Sequence, residues 1–263
     1  MPESAKAGKV YLIGAGPGDP ELLTLKATRL IAEADVVLHD ALVGPEILRM
    51  IPPSAEIIDV GKRARKKLLT QDEINSLLVA NAHKHAIVIR LKGGDPSIFG
   101  RAAEEITALR EARIAYELVP GVTAALSAAA AAGISLTDRR VASQVLLTTF
   151  SRREDGNDMD WGGVTPATTL VLYMPGRDYV EVSARLRENA MPADLPCVIV
   201  SNIGSPQQQV RWSTVASLAT EDNLPAPSLL IVGRVASHQA SELAQALWPR
   251  AAALANSQSI SVI

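Results

Sequence analysis

Short runs of β-branched and other apolar residues recur along the first half of the chain, separated by longer stretches whose apolar positions return every three or four residues. The short runs have the spacing of strands and the longer stretches that of amphipathic helices. Strands are expected at Val10–Ile13, Val36–His39, Glu56–Val60, Ile87–Leu91 and Tyr116–Val119, and helices at Glu21–Ala34, Pro45–Met50, Thr70–His83 and Ala102–Glu111. Thr70-Gln71-Asp72-Glu73 supplies a capping box for the third helix. The alternation reads as successive βαβ units, hence an α/β fold.

Pro120-Gly121 interrupts the pattern, and an alanine-rich helix, Thr123–Ala132, follows and stops at Gly133 as a C-cap would. The second half carries strands at Val145–Thr149, Thr169–Met174, Cys197–Ser201 and Leu229–Val232, with helices at Tyr179–Asn189, Thr214–Leu218 and Ala236–Leu247. The polar stretch Ser151–Gly163 reads as a long loop. Two α/β domains are therefore expected, residues 9–121 and 122–248, followed by a frayed tail over 249–263. The cleft between two such domains is the default ligand site.

At 263 residues the chain is long enough for two substantial cores. A net charge of −2 argues against bulk electrostatic binding to nucleic acid or to an anionic membrane, and 3% aromatic residues leave few platforms for stacking bases. Cys197 is the only cysteine, which precludes an internal disulfide and a cysteine-rich metal site and fits a reducing compartment. The segment before Lys9 is short and polar, the apolar stretch after it breaks at Gly14-Ala15-Gly16, and the alanine-rich run near Ala124–Ala132 is too short to span a bilayer. A soluble, cytoplasmic protein is expected.

Two segments join glycine to proline directly after an apolar strand: Gly14-Ala15-Gly16-Pro17-Gly18-Asp19-Pro20 and Gly93-Gly94-Asp95-Pro96-Ser97-Ile98-Phe99-Gly100. Glycine lets the backbone turn sharply and approach a ligand closely, while Asp-Pro fixes the exit direction and leaves a carboxylate at the turn. Both lie at carboxyl ends of expected strands, where open α/β sheets hold ligands. A dinucleotide fingerprint fails, because Asp19 stands where its last glycine is needed, and no phosphate-binding G-x-x-x-x-G-K-[ST] loop occurs. His39, His83, His85 and His238 lack a metal-ligand spacing, so no metal is expected. No G-x-S-x-G elbow is present, and Cys197 sits in an apolar strand as inert core.

Taken in order, these segments together with His39-Asp40-Ala41-Leu42-Val43, Val60-Gly61-Lys62-Arg63, Gln71-Asp72-Glu73-Ile74-Asn75, Arg90-Leu91-Lys92, Phe99-Gly100-Arg101 with Glu104-Glu105, Val119-Pro120-Gly121-Val122-Thr123-Ala124, Tyr173-Met174 and Leu229-Leu230-Ile231-Val232-Gly233 resemble the tetrapyrrole methylases. The resemblance implies that family's fold of two α/β domains with the active site between them, and transfer of two methyl groups from S-adenosylmethionine to uroporphyrinogen III, giving precorrin-2 and S-adenosylhomocysteine. It implies cofactor contacts from Pro17, Gly93, Gly94, Asp95, Ile98, Thr123, Ala124, Met174, Ile203 and Ala226, and a homodimer. Beside these, Arg101, Glu104 and Asp40 are the catalytic candidates, and Lys62, Arg63, Arg139 and Tyr173 the candidate substrate contacts.

These roles are chemically coherent. Asp95 can accept hydrogen bonds from ribose hydroxyls or an amino group, and Met174 offers a polarizable apolar contact. A polycarboxylate substrate held by a protein of net charge −2 needs local cations, and the cluster Lys62, Arg63, Arg65, Lys66 and Lys67, with Arg139, Arg140, Arg152 and Arg153, supplies them. Arg101 and Glu104 share one helix face at i and i+3, fit to orient a carboxylate and manage a proton, or else to form a surface salt bridge. Asp40 is a further acceptor for pyrrole N–H groups, or a cap before Pro45. Four segments depart from the family pattern: Ala64-Arg65-Lys66, Asp138, Thr149-Phe150 and Ile203. Two other readings stand beside this one, methylation of a later corrinoid intermediate and a sensor that binds the cofactor product without turnover.

Overall fold

The computed structural model describes residues 7–61, 69–150, 161, 163–176 and 178–237. They form two compact units: the first runs to Ser127 and takes in Gly204–Pro206, and the second comprises the described residues from Ala128 to Ile203 and from Gln207 onward.

The first unit contains β1 (Lys9–Gly14), α1 (Leu25–Ala32), β2 (Val36–His39), α2 (Pro45–Leu48), β3 (Glu56–Asp59), α3 (Gln71–Ala82), β4 (Ile87–Lys92), α4 (Ala102–Glu111), β5 (Ala115–Val119) and the start of α5 (Ala124–Ala132). Its strands form one parallel sheet in the order β3-β2-β4-β1-β5. Side chains alternate across a strand, so each strand feeds two cores. Val10 and Leu12 of β1 pack with Ile74, Leu78 and Ala82 of α3 and with Ala102 and Leu109 of α4. Ile13 turns the other way, to Ala27, Leu30 and Ile31 of α1 and Ile47 of α2. Covering both faces explains why the strands read as near-continuous apolar runs. β1 and β4 are neighbours whose chains leave for opposite sides of the sheet, which makes their carboxyl ends a topological switch point.

The expected helix Glu21–Ala34 is divided. The Asp19 carboxylate accepts from the Glu21 amide at 2.9 Å and starts a 3-10 turn at Pro20–Leu22, and Thr24 Oγ1 then accepts from the Ala27 amide at 3.1 Å and starts α1. The capping box of α3 is formed, with Thr70 Oγ1 accepting from the Glu73 amide and Glu73 Oε2 from the Thr70 amide. At the end of α5, Gly133 has φ +66°; its amide bonds to the Ala130 carbonyl and that of Ile134 to Ala129, a Schellman closure that requires the left-handed residue.

The second unit contains β6 (Gln144–Thr149), β7 (Thr168–Tyr173), α6 (Tyr179–Glu188), β8 (Pro196–Ser201), β9 (Gln209–Thr214) and β10 (Ser228–Val232). Its sheet has the order β6-β7-β10-β8-β9, parallel between β6 and β7 and antiparallel elsewhere. Tyr179, Val182 and Leu186 of α6 cover a core built from Leu170, Leu172, Cys197, Ile199, Leu230 and Val232. Strand β9 is not anticipated from sequence, because this edge strand, Gln-Val-Arg-Trp-Ser-Thr, is mostly polar and only half-buried. It also displaces the expected helix Thr214–Leu218: Thr214 ends the strand, and its Oγ1 accepts from the Ser217 amide where a 3-10 turn, Ser217–Thr220, begins. Of the expected helix Ala236–Leu247, Ala236 closes a 3-10 turn begun at Arg234, and residues beyond Ser237 lie outside the described ones, as do the tail and all but Trp161 and Gly163 of the loop Ser151–Gly163.

Candidate functional site

The carboxyl ends of β1, β4 and β5 meet in a rim made largely of backbone. Gly16 and Gly94 exchange hydrogen bonds, the Gly16 amide to the Gly94 carbonyl at 3.1 Å and the Gly94 amide to the Gly16 carbonyl at 2.7 Å. Gly14, Gly94 and Gly121 cross at such short range that a Cβ on Gly121 would lie 2.4 Å from the Gly94 carbonyl oxygen, and one on Gly14 would lie 2.6 Å from the Gly121 nitrogen. Glycine at 14 and 121 is thus demanded by loop against loop. Gly94 differs: at φ +68° its Cβ position meets nothing nearer than the Ala124 nitrogen at 3.8 Å, next to Thr123 Cα. Gly204 reaches the same rim, with its Cβ position 3.1 Å from the Pro17 carbonyl carbon.

Asp95 fastens this rim. Its Oδ1 accepts from the Ser97 amide at 2.8 Å and the Ser97 hydroxyl at 2.5 Å, and Oδ2 accepts from the Gly121 amide at 3.0 Å. Asp19 is occupied in capping the 3-10 turn, so of the two Asp-Pro carboxylates only Asp95 ties separate loops together. Pro17, Gly93, Gly94, Asp95, Ile98, Thr123 and Ala124 are all gathered at this one end of the first sheet.

The remaining expected cofactor contacts gather at one end of the second sheet. Tyr173 and Ser201 face Leu229 and Ser228 at the start of β10, so the chain ends of β7 and β8 flank the segment Ala226-Pro227. Met174 and Asn202, the residues that follow these strands, both have positive φ, +50° and +48°, and Asn202 donates its amide to the Pro227 carbonyl at 2.8 Å. Backbone conformations rare for non-glycine residues concentrate at ligand sites. Met174 is exposed, Ile203 half-buried and Ala226 exposed. Phe150, a departure from the family pattern, is half-buried in the core with its ring 6.3 Å from that of Trp161.

Arg101 and Glu104 form an exposed bidentate pair, Nε to Oε1 and Nη2 to Oε2, both at 2.7 Å. Arg101 precedes α4 at φ +55°, and Phe99, two residues earlier, is at φ +52°. The next residue along the helix carries a signal missed in the sequence: Glu105 is fully buried. Its Oε1 accepts from Arg90 Nε at 2.8 Å and Lys92 Nζ at 2.9 Å, and Arg90 Nη2 reaches Asp40 Oδ1 at 2.5 Å. Burial works against the charge on Arg90, yet the Asp40 and Glu105 carboxylates outweigh it and raise the guanidinium pKa; Lys92 is lowered, by burial and then by Arg90 beside it. Two cations spaced by two inside the apolar strand Ile-Val-Ile-Arg-Leu-Lys were the sequence mark of this network.

Of the expected substrate contacts, Lys62 and Arg63 lie outside the described residues, as do Arg152 and Arg153. Arg139 is exposed, while Tyr173 is half-buried and its carbonyl accepts the Phe150 amide. Asp138, another departure, pairs with Arg140 through side chain and backbone, and these bonds hold its carboxyl at about 2. No group of three or more His, Cys, Asp or Glu among the described residues is placed to hold a metal ion.

Residues 9–219 match the tetrapyrrole (corrin/porphyrin) methylases. The chain belongs to the tetrapyrrole methylase family. This tetrapyrrole methylase is 46% identical over 238 residues to the uroporphyrinogen-III C-methyltransferase of Paracoccus denitrificans, covering 89% of this chain and 83% of the relative. It is 45% identical over 239 residues to the siroheme synthase of Gluconobacter oxydans, covering 89% of this chain and only 50% of that longer protein. Among solved structures it resembles the uroporphyrin-III C-methyltransferase of Thermus thermophilus complexed with S-adenosyl homocysteine, at a TM-score of 0.76 and 37% identity over 87% of this chain and 98% of that one.

Proposed function

We propose that this tetrapyrrole methylase transfers two methyl groups from S-adenosylmethionine to uroporphyrinogen III, giving precorrin-2 through precorrin-1. The observation that carries the reading is the glycine rim at the switch point of the first sheet, fastened by Asp95, in a chain related over most of its length to a uroporphyrinogen-III C-methyltransferase. The rim fits such a donor. The Cβ position that Gly94 leaves unfilled lies within van der Waals reach of the Ala124 nitrogen and Thr123 Cα, and a fixed carboxylate stands next to it.

When bound, the donor supplies a sulfonium methyl as the electrophile. The chain's own contribution is placement, because holding two reactants in line removes much of the entropic barrier. Asp95, already anchored by Ser97 and Gly121, accepts hydrogen bonds from the donor without having to be ordered at that moment. Pro17, Gly93, Gly94, Ile98, Thr123 and Ala124 are the first unit's expected contacts with the donor, and Met174, Ile203 and Ala226 are the second unit's. Arg101 begins as the partner of Glu104; a substrate carboxylate that takes over the guanidinium fork frees Glu104 to receive a proton. Asp40 offers a half-exposed carboxylate to pyrrole N–H groups, and Lys62, Arg63, Arg139 and Tyr173 serve the acidic periphery of the substrate.

The protein acts as a cytoplasmic homodimer in this reading. No described helix is long and apolar enough to cross a membrane. Purified protein incubated with uroporphyrinogen III and methyl-labelled S-adenosylmethionine is expected to yield labelled precorrin-2. Donor binding without any labelled tetrapyrrole would overturn the assignment. Sedimentation at micromolar concentration tests the dimer.

A further inference from the structure

The network of Asp40, Arg90, Lys92 and Glu105 joins three elements at the carboxyl edge of the first sheet: the end of β2, the last residues of β4 and the first turns of α4. Core packing does not call for it. Val88, on the same face of β4 as Arg90, is fully buried among the α3 and α4 side chains, so this face accepts apolar residues. Replacing a buried ion group by well-packed hydrophobic residues is often neutral or stabilising. Four charges in that place therefore ask for another explanation.

Their arrangement provides one. Arg90, Lys92 and Glu105 are at most 4% exposed, whereas the Asp40 side chain is 31% exposed. Glu105 anchors Arg90 and Lys92 together; the Lys92 amine bonds to both Glu105 oxygens, at 2.9 and 3.0 Å, and its stem underlies Gly100, just before Arg101. Arg90 is further fixed by Nη1 to the Leu91 carbonyl at 3.3 Å. The Asp40 amide also bonds to the Leu91 carbonyl, at 3.1 Å. The chain of charges thus has a single solvent-facing end, where Asp40 Oδ1 is taken by Arg90 and Oδ2 has no hydrogen-bond partner among the described residues.

We infer that Arg90 is a positioning residue: braced by Glu105 and Lys92, it fixes Asp40 so that the second carboxylate oxygen is presented, immobile, to an N–H group of the tetrapyrrole. The inference rests on the methyltransferase reading above, and it assigns the buried residues a part in turnover and none in donor binding.

The test is a double-mutant cycle on the full-length protein, with Arg90→Lys, Asp40→Asn and the double variant assayed for kcat, KM for uroporphyrinogen III and Kd for S-adenosylhomocysteine. Lysine keeps the charge but has no planar fork to hold two carboxylates at once. Each single change is expected to lower kcat tenfold or more. The double variant should be no slower than Asp40→Asn alone, and product affinity should stay within twofold of the wild type. Losses that multiply in the double variant overturn the inference, as does Asp40→Asn turning over at the wild-type rate or product affinity falling in step with kcat. If Arg90→Lys fails to fold, Glu105→Gln takes its place in the same cycle with the same expectations. A wild-type protein that methylates nothing defeats the functional assignment and this inference together, whereas wild-type turnover with multiplying losses defeats the inference alone.

Discussion

Replacing Gly121 by Ala places a methyl group where three backbone segments cross. Its Cβ would stand 2.4 Å from the Gly94 carbonyl oxygen and 2.8 Å from both Gly14 Cα and the Gly14 carbonyl carbon. Comfortable contacts of this kind are nearer 3.5 Å, so one loop has to retreat by about 1 Å. None of the clashing atoms belongs to a side chain that can swing aside. Overpacking of this kind costs about 1–3 kcal/mol, which for a chain of this size lowers Tm by roughly 2–4 °C for each kcal/mol. The retreat also pulls the Gly121 amide from Asp95 Oδ2, now at 3.0 Å, and so loosens the carboxylate assigned to the donor. The variant should therefore melt several degrees lower and bind S-adenosylhomocysteine at least tenfold more weakly by calorimetry. Gly176→Ala is the control. Gly176 has φ +77° and nothing among the described residues within 4 Å of its Cβ position, so it carries only the left-handed penalty, about 1–2 kcal/mol, and leaves binding unchanged. If Gly121→Ala melts and binds like the wild type, the loop crossing is not what makes the rim.

Asp95→Ala is expected to weaken donor binding tenfold or more, whereas Arg101→Ala should leave it within twofold and depress turnover; calorimetry and steady-state assays with the reverse pattern would exchange the two roles. Burial, aided by the Glu221 charge, pushes the Cys197 thiol up to about 12, so it should resist a disulfide reagent at pH 8 in the native protein and react once in urea, and rapid native labelling would contradict its place in the core. Hydrogen bonds from Lys26 and then Lys9 hold the Glu117 carboxyl at about 2 against an ordinary 4.5. Its ionised form therefore stabilises the fold above pH 4.5, and that contribution fades as the pH falls toward 2. Glu117→Gln should cost about 0.5–1 kcal/mol at pH 7, as a partly exposed pair does, and the difference in urea unfolding should narrow below pH 4.5 and in high salt.

The sheet of the first unit was largely visible in the sequence, because strands buried on both faces spell uninterrupted Val, Ile and Leu, and because Thr70 and Gly133 mark helix ends through their own chemistry. What escaped was set by partners distant along the chain. Strand β9 is stabilised by pairing with β8, and its half-exposed alternation of Val, Trp and polar residues carries little signal of its own. The rim glycines mark close approach by their residue type, but spacing alone does not tell that Gly14 and Gly121 meet each other's backbone and that of Gly94. Glu104 drew attention through its spacing from Arg101, whereas Glu105 faces inward for a reason that only the fold supplies: Arg90 and Lys92 lie beneath it. Asp138 and Phe150, conspicuous as departures from a family pattern, are accounted for locally, one by Arg140 and the other by Trp161.

The reciprocal bond between Gly16 and Gly94 also bears on time. It places a rung of sheet-like pairing beyond the last parallel residues of β1 and β4, in segments whose glycines and prolines look like floppy connections. Amide protons at these two positions should exchange with solvent as slowly as those inside the strands, so an arriving small molecule meets a doorway that is already set and need not wait for it to assemble.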